Sequence, residues 1–103
     1  MSHIAIDYDK EKLRDFCRRW KIKEFSLFGS VVRDDFGPDS DVDVLVTFEE
    51  GARRSLFDMV HMEDELVGIF GREVDLLTRR SVERSLNPIR RDSILGDAVS
   101  LEL

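Results

Sequence analysis

An α/β or α+β layer fold is predicted by three features of the sequence. Two stretches, 9–20 and 55–70, carry apolar residues at helical spacing. DVDVLVTF (41–48) instead alternates β-branched residues with a period of two. Helical and extended segments then follow one another along the chain, which favours a sheet layered with helices. The 103 residues suffice for a single domain, 1–103, with a small core and little left over for a second, substrate-binding domain.

The first helix, 9–20, sets Leu13, Phe16, Cys17 and Trp20 on one face, with Asp9 as its N-cap. EFSLFG (24–29) reads as a short strand ending at a glycine, followed by a brief helix or turn from Ser30 to Asp35. FGPDS is a breaker rich in turn residues. Strand 41–48 ends at Glu49-Glu50-Gly51. In helix 55–70, Leu56, Met59, Val60, Leu66, Val67 and Phe70 gather on one face, Ser55 is the cap and Gly71 sits where a helix C-terminus prefers glycine. EVDLLT (73–78) is a third strand, Ser81 starts a polar helical turn, and Pro88 suits the first turn of a last helix closed by Gly96. AVSLEL forms a short terminal strand or a tail. Helices this few cover mainly one sheet face and leave the other partly open.

With 16 Lys+Arg against 22 Asp+Glu, the formal charge of -6 argues against non-specific binding to nucleic acid or anionic membrane. It leaves room for an anion bridged by a metal. The locally basic KEKLRDFCRRWKIK (10–23) reads as a solvated helix face, with a partner surface or phosphate contact as alternatives. Cys17 stands alone, so no disulfide framework exists within the chain, and its apolar stripe makes it a small hydrophobe rather than a nucleophile. No apolar run spans a bilayer and the N-terminus lacks a signal pattern, so a cytoplasmic location is expected. His3 and His61 have no cysteine neighbours, which disfavours zinc.

Two aspartates in one strand need an explanation. Side chains alternate along a strand, so Asp41 and Asp43 share a face, about 7 Å apart. They repel each other, and burial raises the cost. A divalent cation bridging them removes it, and hard oxygen donors without His or Cys suit magnesium. The plainer reading is an edge strand with aspartates facing water. Asp39, Asp41, Asp43 and Glu50 also fall at four ligand positions of a calcium loop, but the required glycine is replaced by Val44. Asp75 tips the balance, because a charge between Val74 and Leu76 is out of character for an apolar strand. Should that strand lie beside 41–48, the three acids converge as phosphoryl transfer requires. Gly29-Ser30 then supplies a close backbone approach and a hydroxyl for phosphate oxygens. No Gly-Lys-Ser/Thr follows, so this is not a Walker loop.

Gly29-Ser30, a ten-residue gap, then Asp41-x-Asp43, with a later Asp75, resembles the signature of the DNA polymerase β-like nucleotidyltransferases. FGSVVR, SDVDVLV and GREVDLLT look most like its minimal members, the MNT-type or MntA-like proteins, over about Phe25 to Thr78. The resemblance implies a small mixed sheet flanked by helices, binding Mg2+ and a nucleoside triphosphate such as ATP. Carried over, Asp41, Asp43 and Asp75 hold magnesium, Asp75 also helps activate the attacking hydroxyl, and Gly29, Ser30 and the adjacent amides hold the outer phosphates. Ser40 steadies Asp41 or its loop. Arg33 either neutralises phosphate or pairs with Asp34 or Asp35, and Glu63 and Asp64 read as surface charges.

The implied reaction is attack of a hydroxyl on the α-phosphorus with release of pyrophosphate. The acceptor is expected on another chain. The family suggests a HEPN-type toxin whose tyrosine is adenylylated, with this chain as the antitoxin. Two other readings stay open. One is a binding module that masks its partner sterically, and the other is a small-molecule nucleotidyltransferase working as a homodimer.

Overall fold

Asp9 starts the first helix as the sequence predicts. In the computed structural model, which describes residues 8–32, 37, 40–52 and 55–103, its carboxylate accepts the amides of Glu11 and Lys12 at 3.0 and 3.2 Å. Helix α1 (Lys10–Arg19) follows, and Lys21, at φ 55, turns the chain into β1 (Ile22–Phe28). β1 begins two residues before the expected start at 24, because Ile22 already pairs with Phe48 ahead of a bulge. A 3-10 turn covers Gly29–Val32, while residues 33–36, 38 and 39, with Arg33 and much of the expected breaker, lie outside the described residues.

β2 (Val42–Phe48) starts one residue later than expected, leaving Asp41 just ahead of the strand. Helix α2 (Leu56–Phe70) is capped by the reciprocal Ser55–Asp58 box, and Gly71 ends it at φ 70, the left-handed conformation that glycine reaches without strain. β3 (Val74–Thr78), α3 (Arg79–Glu83), α4 (Pro88–Asp97) and β4 (Val99–Ser100) complete the order.

Two expectations are corrected. Gly96 lies inside α4, which runs on to Asp97. On α2, Leu56 and Val60 face solvent, 85% and 57% exposed, whereas Met62, Leu66 and Phe70 form the buried line at four-residue spacing. The helix is apolar nearly all round, so its sequence does not single out the inward face.

The four strands are ordered β3-β2-β1-β4. β1 is antiparallel to β2 and β4, and β2 is parallel to β3 through the α2 crossover. This is the mixed sheet flanked by helices that the sequence implies. On one face Leu13 and Phe16 of α1 and Met62, Leu66 and Phe70 of α2 cover Phe25, Leu27, Val42, Val44, Val46, Val74 and Leu76. Phe16 meets Phe25 edge-on at 6.3 Å. On the other face Val82 of α3 and Ile94 of α4 pack on Phe28 and Leu45, with Leu77 half-buried. Cys17 packs beside the larger core, half-buried, and burial pushes its thiol up to about 11, in keeping with an inert side chain. Among the described residues no helix is long and apolar enough to cross a membrane.

The two helices on the first face are linked by a fork. Arg19 donates to both oxygens of Glu65, at 3.0 and 2.6 Å, and Trp20 Nε1 adds a bond at 3.2 Å. Arg19 and then Trp20 hold the Glu65 carboxyl below its usual range against the opposing effect of burial. A depressed folded pKa stabilises above the unfolded value and is lost as pH falls through the folded one. Glu65→Gln should therefore lower neutral-pH stability by no more than about 1 kcal/mol, since Arg19 is half-exposed. The difference from wild type should vanish in acid, as urea melts at several pH values will report.

Candidate active site

The incompletely covered face carries the acidic residues. Val42, Val44, Val74 and Leu76 turn into the larger core, so the alternation of β2 and β3 sends Asp43 and Asp75 to the opposite side. Asp43 is the register partner of Asp75 across the parallel pair, and of Phe28 across the antiparallel one. Neighbouring strands lie about 4.8 Å apart, so the two carboxylates stand side by side. Asp43 is half-buried and Asp75 exposed. Like charges directly opposite each other destabilise a sheet, a cost that a cation between them would offset.

Gly29 explains how Asp43 fits. β1 ends at Phe28, and Gly29 turns at φ 73 against the Asp43 side chain. A Cβ there would overlap the Asp43 Oδ2 atom and lie 3.2 Å from its Cγ. Only glycine gives this carboxylate its room. The Ser30 backbone sits in the 3-10 turn that follows, and its side chain lies outside what the structure describes.

Asp41 is exposed immediately before β2, in a segment fixed from two sides. The Val42 amide donates to the Glu73 carbonyl at 2.9 Å, so the entries to β2 and β3 are tied together. Ser40 closes the preceding turn, its Oγ accepting the Gly37 amide at 3.0 Å and its own amide reaching the Gly37 carbonyl at 3.1 Å. Both bonds join Ser40 to Gly37 within the turn ahead of Asp41. Arg72 Nη1 donates to the Gly37 carbonyl at 2.9 Å and lies 3.5 Å from that of Ser40. Sequence reading passed over Arg72, although an arginine directly after Gly71 and three residues before Asp75 is well placed to brace a neighbouring loop.

Glu63 was also set aside. It is partly buried on α2, and its carboxyl is raised first by burial and then by the charges of Asp75, Asp64 and Glu73. The acidic character therefore extends from Asp75 round the β3 edge. Among the described residues no three His, Cys, Asp or Glu side chains converge closely enough to hold a metal unaided. Magnesium does not need three, since one or two carboxylates plus substrate phosphates suffice. Asp43 and Asp75, hard donors in one row with space made by Gly29, fit that demand. A cleft of about 760 Å³ opens elsewhere, by Val46, Phe48, Gly51 and Thr78 at the C-terminal ends of β2 and β3.

The described geometry is thus a pair of carboxylates in register on two parallel strands, beside a glycine turn. The chain belongs to the nucleotidyltransferase domain family, which it matches over residues 10–100. It is 38% identical over 98 residues to a candidate protein adenylyltransferase of Methanocaldococcus jannaschii, covering 95% of this chain and 99% of that one. Similarity to the protein adenylyltransferase MntA of Thermococcus cleftensis is 38% over 77 residues, 75% of this chain and 73% of the relative. A solved structure of a candidate minimal nucleotidyltransferase superposes with a TM-score of 0.68 at 36% identity, covering 88% and 87% of the two chains. A toxin–antitoxin structure with AMP-PNP shares the fold, with a TM-score of 0.70 at 19% identity over 91% of this chain and 73% of that one. The enzyme class is nucleotidyltransferase.

Proposed function

We propose that this chain is a Mg2+-dependent protein adenylyltransferase that moves AMP from ATP to a tyrosine hydroxyl of a HEPN-type toxin, acting as its antitoxin. The observation that carries this reading is the in-register pair Asp43–Asp75 beside Gly29. The names of the relatives support adenylyl transfer, and the fold neighbour solved with AMP-PNP supports ATP and a toxin partner.

Asp43 and Asp75, with Asp41 on the adjoining loop, would hold magnesium, which when bound would neutralise phosphate charge and polarise the α-phosphate. Gly29, Ser30 and the amides of the 3-10 turn hold the outer phosphates. Ser40 and Arg72 keep the Asp41 loop in register with the strands. Asp75 orients the acceptor hydroxyl and takes its proton. The acceptor oxygen forms a bond to the α-phosphorus while the bond to the bridging oxygen breaks, and pyrophosphate departs with that electron pair.

Nucleotide binding should then depend on Ser30 and metal together, because one hydroxyl contributes only about 0.5–1.5 kcal/mol against water. Calorimetric titration of ATP with and without Mg2+ is expected to give tight binding only for wild type with metal, and weaker binding for Ser30→Ala. Equal affinity in all four titrations would remove the phosphate role of Gly29-Ser30. The reaction itself is tested with labelled ATP, Mg2+ and the protein encoded by the adjacent gene, read by mass spectrometry for added AMP. Wild type should label that protein and Asp41→Ala should not. A neutralising complex without AMP would establish steric masking instead.

A further inference from the structure

The segment from α3 into α4 carries a charge opposite to that of the rest of the chain. RRSVERSLNPIRR (79–91) holds five arginines and one glutamate, whereas the remaining sequence has 11 basic and 21 acidic residues. Two of the arginines are paired, Arg79 with Glu24 at 3.3 Å and Arg91 with Asp92 at 3.5 Å. Arg80, Arg84 and Arg90 are exposed and make no ion pair with any described residue. At the tip between the helices Leu86 is 100% exposed and Ile89 82%. The turn presenting them is closed, with the Asn87 amide on Ser85 Oγ at 3.3 Å and the Asn87 side chain capping α4 through the Arg90 amide at 3.1 Å. Two aliphatic side chains left in water forgo the favourable burial that a partner surface would supply.

This hairpin also lies on the acidic pair's side of the sheet. Val82 and Ile94 anchor it on Phe28 and Leu45, and a groove of about 220 Å³ between α3 and α4 reaches Leu77, the next outward residue of β3 after Asp75. An apolar centre with an arginine rim is the composition of a protein interface. Single-stranded nucleic acid would call for aromatic stacking, and residues 79–97 contain no aromatic side chain.

We infer that the Leu86–Ile89 tip and its rim of Arg80, Arg84 and Arg90 dock the protein that carries the acceptor hydroxyl, through an apolar socket ringed by carboxylates on that protein. The inference rests on the function proposed above. The contacting surface of this acidic chain is locally basic, which suits a partner whose own surface is acidic. The other exposed apolar set, Leu56, Phe57 and Val60, lies on α2, which covers the opposite sheet face. A partner seated there would not bring a hydroxyl to Asp75.

The test measures binding to the protein encoded by the adjacent gene by interferometry, at low and physiological salt. L86S/I89S and R80E/R84E/R90E should each weaken binding at least about tenfold, wild-type binding should weaken with salt, and F57S should leave it unchanged. Every substituted group is exposed, and unchanged thermal melts verify the fold. Wild-type binding by both hairpin variants, or loss with F57S alone, overturns the inference. A concentration-dependent dimer abolished by L86S/I89S would assign the tip to a second copy. Retention of a short single-stranded RNA that only the charge reversals abolish, with protein binding intact, would assign the rim to RNA. Either result overturns the inference. AMP transfer separates the two proposals. Hairpin-dependent binding without transfer leaves the docking surface standing and removes the reaction, whereas transfer at the wild-type rate by both variants does the reverse. No binding at all removes both.

Discussion

Asp43→Asn is expected to abolish adenylyl transfer while leaving the fold intact. Asn keeps the shape of the side chain but removes the charge that a cation requires, so the loss should be at least on the order of 10²–10³-fold. Stability should stay level or rise slightly, because Asp43 stands directly opposite Asp75 and relief of one cross-strand repulsion is worth about 0.2–1 kcal/mol. The two readouts together make the prediction sharp. A side chain held for structure alone would lose stability and activity in parallel, whereas one held for a cation loses activity while stability is spared. Labelled-ATP transfer and a urea melt on the same preparation distinguish these outcomes. A stability loss of several kcal/mol would assign Asp43 a structural role.

The parts of the fold that local chemistry determines were legible in the sequence. Asp9, Ser55, Gly71 and Pro88 all act at helix termini as their types predict, because caps and turns depend on residues within four positions of one another. β2 was recognisable because its valines alternate without interruption. What failed needed the third dimension. The inward face of α2 follows from where the helix crosses the sheet, so Met62 is buried although Leu56 and Val60 fit the helical period equally well. Gly96 lost its stopping role because α4 is held by Ile94 and Leu95 packing one turn before its end.

The acidic site divides in the same way. Asp43 and Asp75 could be picked out as charges among apolar strand residues, but their pairing depends on the β3-β2 parallel register, which no local pattern encodes. Asp41 was expected inside the strand and stands just before it, on a loop braced by Ser40 and Arg72. The arginine hairpin escaped notice because its charges are diluted by the acidic total and become a surface only when α3 and α4 fold back on each other.

The second large effect is expected at Gly29, where backbone and site geometry meet. Gly29→Ala combines two separable penalties. An L-residue at φ 73 costs about 1–2 kcal/mol. The new Cβ also falls on the Asp43 carboxylate, and overpacking of this kind adds about 1–3 kcal/mol or drives the carboxylate out of its row. The melting temperature should fall by about 10 °C or more in a chain of this size, and transfer should be lost with the position of Asp43. A double-mutant cycle separates the penalties. In an Asp43→Ala background the overlapping oxygen is gone, and the remaining neighbour, the Asp43 Cβ, lies 3.5 Å from the built atom, an ordinary contact. Gly29→Ala should then cost only the backbone share, leaving a coupling energy of about 1–3 kcal/mol between the two positions. Gly68→Ala supplies the control. That glycine is helical with open space around it, so the substitution should stabilise by about 0.5–1 kcal/mol. If Gly29→Ala melts with wild type, or costs the same with and without the Asp43 carboxylate, then Gly29 is a turn residue and has no part in holding the acidic pair.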